Sequence, residues 1–523
     1  MQQCWGHSYF ITSSFIQPSL LLWHELLGVA LLFNSYQFIF IFLPVVFFGY
    51  YFLTSLKFIL ASRAFLVGCS LFFYSWWNIV FLPYLLFSLI FNFSVASALT
   101  GFGERQDVHG NHIGKKVLLI FGLLVNISFL GYFKYADFFI RNVNFVTGSH
   151  VDLLKLALPL GISFITFQKI AYLVDVYQGK CKSYDFLSFS LFVTFFPQLI
   201  AGPIVHHSEM MPQFASRWNW VKRYRNIVTG IFIFSIGLFK KLSIADTFAI
   251  WANSGYGHTP NLAFFEAWAT SLSYTFQLYF DFSGYSDMAV GLALLFNIKL
   301  PFNFNSPYKS KNIQDFWRRW HITLSRFLKA YVYIPMGGNR SGSFRTYLNL
   351  FITFIIGGIW HGAGWTFVIW GALHGISVVI HRAWQILGIR MNSVLAWFFT
   401  FNFINITWIF FRSKDIESAL DVIKGMFGGG GLILPSGLSS SMGFWKHYGV
   451  QYGDWLADWD AKEEIIYLVG GFLAVLLLKN SLEWSKSFKP TLGTLLIGSL
   501  LLSLAFVKLS SLRITNEFLY FNF

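Results

Sequence analysis

An all-α protein that crosses a membrane many times is the fold class this chain predicts, and three observations carry that expectation. Of its 523 residues 55% are hydrophobic and only 12% charged, where soluble domains carry charge on about a quarter of their residues. Apolar runs close to the roughly 20 residues a helix needs to cross a hydrocarbon core recur along the sequence. The runs are continuous rather than alternating, which selects helices over a barrel of roughly ten-residue strands. Spans are expected near residues 37–56, 64–80, 81–99, 117–133, 156–174, 188–205, 226–246, 263–296, 347–380, 394–411, 465–479 and 491–508. They make about 11 membrane helices, with further interfacial or re-entrant ones. Two of the runs, 263–296 and 347–380, are long enough to hide a break or a second crossing.

Residues 1–31 fit neither a signal peptide nor a span. Trp23, His24 and Glu25 lie there in a weak apolar pattern, with no basic leading region. The stretch reads as a non-conforming extension, with the natural start near Leu32 and a single membrane domain over residues 32–523. Basic residues then collect in the short connections. Arg105, Lys115 and Lys116 lie in 103–116, Arg217, Lys222, Arg223 and Arg225 in 217–225, and nine more between Lys299 and Arg345 against one acid, Asp315. The positive-inside rule puts these loops in the cytoplasm and accounts for the net charge of +15, so no nucleic-acid partner is implied. The segment 454–464 is acidic, with Asp454, Asp458, Asp460, Glu463 and Glu464 against Lys462. Following the GGGG run at 428–431, it reads as part of an exported, periplasmic loop over 428–464.

Several chemistries drop out. Cys4, Cys69 and Cys181 are scattered and odd in number, so neither a disulfide framework nor a cysteine metal site is suggested, and no metal is expected. GNHIGKK at 110–116 is one residue short of a phosphate-binding loop and ends in Lys116 where a Ser or Thr should meet magnesium. There is no GxSxG elbow, no HExxH and no clustered Cys/His set. His206 and His207 are adjacent, a spacing that points side chains apart on a helix, and they read as loop residues.

Polar residues inside apolar runs mark the interior. Asp281 and Asp287 lie in QLYFDFSGYSDMAVGLALLF, and an intramembrane acid costs on the order of 2.5–3.5 kcal/mol. Ser283, Gly284 and Ser286 between them signal a broken helix, which the two acids would hold by hydrogen bonding. Asp175, and Pro197 and Pro203 in FFPQLIAGPI, read as kinked helices around an interior space.

The region 299–345 is the richest polar segment. Phe316, Trp320, Leu324, Phe327 and Tyr331 recur there at three- and four-residue spacing, as in a helix lying in the membrane interface, with Asn312 as its cap and Asp315 in its first turn. A basic interfacial helix held by lipid headgroups accounts for the arginines but not for His321. The functional reading has Arg318, Arg319 and Lys329 attract a phosphate-rich cytosolic donor, with a histidine waiting where it ends.

GGIWHGAGW at 357–365 sets His361 between two glycine pairs in an apolar run. An ionisable group at such a depth is a functional candidate. A neutral imidazole can act as general base, while the alternative is a histidine bonded to a neighbouring helix carbonyl.

Four motifs, YFDFSGYSDMA at 279–289, FWRRWHITLS at 316–325, YIPMGGNR at 333–340 and GGIWHGA at 357–363, resemble the membrane-bound O-acyltransferase family, and within it the bacterial alginate O-acetylation branch. LFNSYQFIFIFLPV, LGYFKYADF at 130–138, LPLGISFITFQKIAYLVDVY at 158–177, FFPQLIAGPI at 195–204 and the terminal FLYFNF resemble that branch in the same order. The resemblance implies a helical fold with a transmembrane tunnel, His361 as the family's invariant histidine and His321 as its second key position. Asp281, Asp287, Trp320, Trp360 and Asn339 would be structural or tunnel residues. It further implies an acyl donor, acetyl-CoA, with no bound cofactor. It places the chain in the bacterial inner membrane, where it would hand acetyl to a periplasmic SGNH-type acetyltransferase that modifies an extracellular polysaccharide. ITLS stands where the branch has ISLS, and the region 430–464 has no counterpart. Two other classes stay open on the residues alone: a secondary transporter, against which no internal repeat is seen, and a non-catalytic subunit of a polysaccharide export complex.

Overall fold

A computed structural model describes residues 31–104, 112–181, 183–258, 262–453, 461–511 and 517–522. The expected extension at residues 1–31 falls outside these residues save Leu31, as do Arg105 and the acids Asp454, Asp458 and Asp460. Among the described residues helices dominate, and the one ladder is a two-stranded parallel pairing, Ile433–Pro435 with Gln451–Gly453, in the connection before the last two long helices. Among the described residues eight helical segments are long and apolar enough to cross a membrane, nine if the bent pair Lys462–Leu477 and Ser481–Ser487 forms one span. The count is lower than eleven because several expected spans are polar interior helices or short pieces. Residues 186–204 form the helices Phe186–Thr194 and Phe196–Leu199, which part at Phe195 just before Pro197, as the proline predicted.

At the centre runs Phe264–Leu295, 32 residues without interruption, buried from Ala269 to Leu295 except for Leu272. The expected break at Ser283–Ser286 is therefore absent. Gly284 has a different reason to be glycine: a Cβ there would stand 2.8 Å from the Gly237 carbonyl oxygen, on the helix Tyr224–Phe239. Seven residues along both helices the arrangement repeats, where a Cβ on Gly291 would meet the Gly230 oxygen at 2.6 Å. Small residues at such crossings let membrane helices approach closely.

The two acids of the central helix follow from the same packing. Asp281 pairs with Lys241 at 2.7 Å and Asp287 with Lys240 at 2.7 Å, both lysines lying in the π-helical turn Lys240–Ala245 that continues the neighbouring helix. Lys241 also pairs with Asp246 at 2.8 Å, and the backbone N–H of Leu519 donates to Asp281 Oδ2 at 3.0 Å. Asp281 and Asp287 thus hold an unbroken helix to its neighbour and to the C-terminal segment, rather than a broken one to itself.

Two connections differ from expectation in a similar way. The Gly428–Gly431 run is no free linker: its Gly431 carbonyl accepts from Phe264 N at 2.9 Å, and a Cβ on Gly430 would lie 2.1 Å from the Leu262 oxygen, so the run wraps the start of the central helix. Glu464 lies not in a loop but in the helix Ala461–Leu477, fully buried, accepting from Ser273 Oγ at 2.9 Å.

Candidate functional site

The segment expected to lie flat in the interface is instead folded into the protein. Phe316, Trp320, Leu324 and Phe327 are buried. Asn312 caps its first helix as expected, its side chain accepting from Asp315 N at 2.7 Å, but that helix ends at Arg319 and a second, Ile322–Leu328, starts after a break. The break is His321, which takes a left-handed φ of +42°. A residue with a Cβ pays roughly 1–3 kcal/mol for such a conformation and keeps it only where its surroundings fix it. Here residues 303–305 do so. Ile322 N donates to Asn303 O at 3.0 Å, Asn305 N to Arg319 O at 3.0 Å, and Thr323 Oγ1 to Asn303 Oδ1 at 2.6 Å. The turn swings the His321 ring into the interior, where it is fully buried.

His361 arrives from another direction. The run 347–380 does break: Gly342–His361 ends at His361, and Trp365–Ile386 returns beside it after Gly362–Gly364. A Cβ on Gly358 would sit 2.4 Å from the Phe367 oxygen, and one on Gly371 2.6 Å from the Phe354 oxygen, so the glycines around the histidine let the two helices touch. At the last turn of the first helix, His361 lies with its ring centroid 6.4 Å from that of His321. Trp370 and Phe411 stand edge-on to it at 5.1 Å each, and Trp360 at 4.8 Å. Both histidines are thus inside the protein, buried among aromatic rings.

Two residues that sequence reasoning passed over complete the surroundings. Lys134, in the π-helical turn Gly131–Tyr135, donates to the carbonyls of Trp360 at 2.6 Å and His361 at 3.0 Å and to Ser163 Oγ at 3.2 Å. It caps the helix end that carries the histidine, the position where a cation suits the dipole. His374, fully buried, accepts from Trp317 Nε1 at 3.2 Å through Nδ1, and its ring lies 4.7 Å from that of Trp370. A lysine in LGYFKYADF and a histidine flanked by Gly371 and Gly375 were the available signals.

The other named residues divide. Trp320 packs on Trp408 at 4.9 Å and Trp360 on Phe167 at 5.1 Å, both among the rings around the two histidines. Arg319 is occupied by Asp315 at 2.9 Å, whereas Arg318 and Lys329 are exposed. Asn339 is also exposed, in the turn after the basic segment. The buried amide there is that of Asn349, which donates to Gly338 O at 2.9 Å and Met336 O at 3.2 Å. His206 and His207 do not point apart. The backbone passes from extended at His206 to helical at His207, so the two rings fall on one side, with centroids 4.3 Å apart.

Residues 179–413 match the model of MBOAT, the membrane-bound O-acyltransferase family. The peptidoglycan O-acetyltransferase of Helicobacter pylori is 54% identical over 434 residues, covering 77% of this chain and 81% of that protein. A probable alginate O-acetylase of Pseudomonas aeruginosa is 40% identical over 406 residues, 76% of this chain and 75% of that protein. More remote is the teichoic acid D-alanyltransferase of Bacillus subtilis, 29% identical over 282 residues, 49% of this chain and 69% of that protein.

Proposed function

Because the chain belongs to the membrane-bound O-acyltransferase family, a multi-pass acyltransferase, we propose that it moves acetyl from a cytosolic thioester, acetyl-CoA, across the inner membrane for O-acetylation of a cell-envelope polysaccharide. Peptidoglycan is favoured as the final acceptor over alginate, since the relative named for it is 54% identical against 40%. A periplasmic SGNH-type acetyltransferase would receive the group from this chain.

The observation that carries the reading is the meeting of His321 and His361, from two separate helices, with ring centroids 6.4 Å apart in the buried interior. A general base must come within about 2.6–3.2 Å of the proton it takes, and two rings at this spacing can address one reacting group between them. His361 takes the proton of the acceptor hydroxyl as that oxygen attacks the thioester carbonyl. The carbon–sulfur bond breaks, and the proton passes from His361 to the departing thiolate. His321 steadies the carbonyl oxygen as it gains charge. The exposed Arg318 and Lys329 act earlier, drawing in the phosphates of the donor. Replacing His361 by Ala should abolish acetyl transfer from isotopically labelled acetyl-CoA while the protein inserts and purifies normally. Transfer at the wild-type rate would remove His361 from the mechanism.

A further inference from the structure

A second cluster of side chains lies at the far end of the helix Ile162–Tyr177. Ser163, beside Lys134, stands near its start and Asp175 near its end, about 18 Å apart at 1.5 Å per residue. Asp175 is fully buried, and three donors converge on one of its oxygens. His206 Nε2 and His207 Nε2 both address Oδ2, the latter at 3.2 Å, and the Tyr331 hydroxyl reaches it at 2.8 Å. Tyr331 and His206 Nε2 are themselves 2.8 Å apart. The other oxygen, Oδ1, accepts no hydrogen bond among the described residues and has only the Lys180 ammonium, at 3.5 Å.

The three groups crowd one oxygen of the carboxylate and leave the other almost bare. A carboxylate oxygen has two lone pairs, so a carboxylate facing three donors would share them between its oxygens. The far sides of the rings are engaged as well: His206 Nδ1 lies 2.6 Å from Ser208 Oγ, and His207 Nδ1 3.3 Å from the Tyr184 hydroxyl. Groups on Nδ1, a hydroxyl at each ring and at His206 also the Ser208 backbone N–H donating at 3.4 Å, orient each imidazole so that Nε2 is the atom offered inward, the orientation a metal-binding histidine needs. The three ligand atoms lie within 4.8 Å of one another.

We propose that Asp175, His206 and His207 form a binding site for one divalent transition-metal ion, with Zn²⁺ the best match. Two imidazoles and one carboxylate suit zinc, which takes three protein ligands and leaves a fourth position for water or the Tyr331 oxygen; calcium and magnesium prefer oxygen ligands throughout. His207 is buried, and His206, with 28% of its side chain exposed, gives the ion a way in. The ion would join three pieces: the end of Ile162–Tyr177, the start of the helix His207–Ala215, and the turn Lys329–Tyr333 of the basic segment that carries His321.

The test uses the full chain in detergent, purified without a polyhistidine tag, stripped with EDTA, loaded with ZnCl₂ and exchanged into metal-free buffer. Elemental analysis should find about one zinc per chain. The Asp175→Asn variant and the His206→Gln/His207→Gln double variant should each weaken binding by at least about tenfold. Loading the wild-type chain with Co²⁺ instead requires no variant, and should give the visible absorption of a four-coordinate nitrogen and oxygen site. Wild-type protein that retains no more zinc than the double variant, or shows no such cobalt band, overturns the proposal.

Discussion

Lys134 offers a sharp test of how the helix end presents His361. Its ammonium bonds the last two carbonyls of Gly342–His361, at 2.6 and 3.0 Å, from a helix 226 and 227 residues away in sequence. Each hydrogen bond to a charged group contributes about 1.5–3 kcal/mol, so Lys134→Met releases the last turn from its main restraint. Methionine fills a similar volume but donates nothing. A displacement of about 1 Å in a reacting group costs on the order of a hundredfold in rate. The expected outcome is a kcat about a hundredfold lower with KM within about threefold, because the exposed Arg318 and Lys329, proposed to meet the donor, are untouched. The assay follows release of the thiol from acetyl-CoA, the proposed donor, by the purified chain with the proposed acceptor partner, well below the unfolding midpoint. A kcat within about threefold of wild type would refute the positioning role. A fall in folded fraction that matches the fall in activity would make Lys134 a structural brace instead.

The roles proposed for the two histidines should separate: His361→Ala, losing the proposed base, should lose all measurable transfer, whereas His321→Ala, which leaves His361 in place, should retain a residual rate on the order of 10⁻² to 10⁻³ of wild type, read in the same assay. Equal residual rates in both variants would contradict that division. Gly284→Val should push the central helix off its neighbour, costing on the order of 1–3 kcal/mol by unfolding in detergent, while Gly68→Ala, where a Cβ would meet nothing within 4 Å, should cost nothing. If both behave alike, close approach is not why Gly284 is glycine. Lys240→Met leaves Asp287 buried without its cation and should destabilise by about 3–5 kcal/mol. Lys240→Met/Asp287→Leu should recover most of this in the same measurement, and a double variant no better than the single one would show that the pair is not the source of the loss.

What the sequence could and could not disclose follows from the range of the interactions involved. Run length and apolarity are local, so the helical membrane class was plain, as were the proline turn at 195–197 and the Asn312 cap. The motifs carrying His321 and His361 are local too, and the family resemblance drew both to attention. Their meeting is not local: it needs a left-handed turn at His321 that only residues 303–305 hold in place, and a helix end held by Lys134. The misreadings share one cause. Asp281, Ser283, Gly284 and Asp287 look like a break when the helix is considered alone, since polar and small residues weaken an isolated span. Beside Lys240, Lys241, Gly230 and Gly237 the same residues become the surface along which two helices lock, and an unbroken helix is what lets both ion pairs form at once. Adjacent His206 and His207 diverge only where one backbone conformation runs through both. A helix boundary falls between them, and such a boundary is where adjacent side chains can be brought together on a third residue 31 and 32 positions away. Polar residues inside apolar runs are thus better read as one half of a pair whose other half must be sought on a neighbouring helix, and in this chain that search leads from Asp287 to Lys240, from Asp281 to Lys241, and from Asp175 to the two histidines.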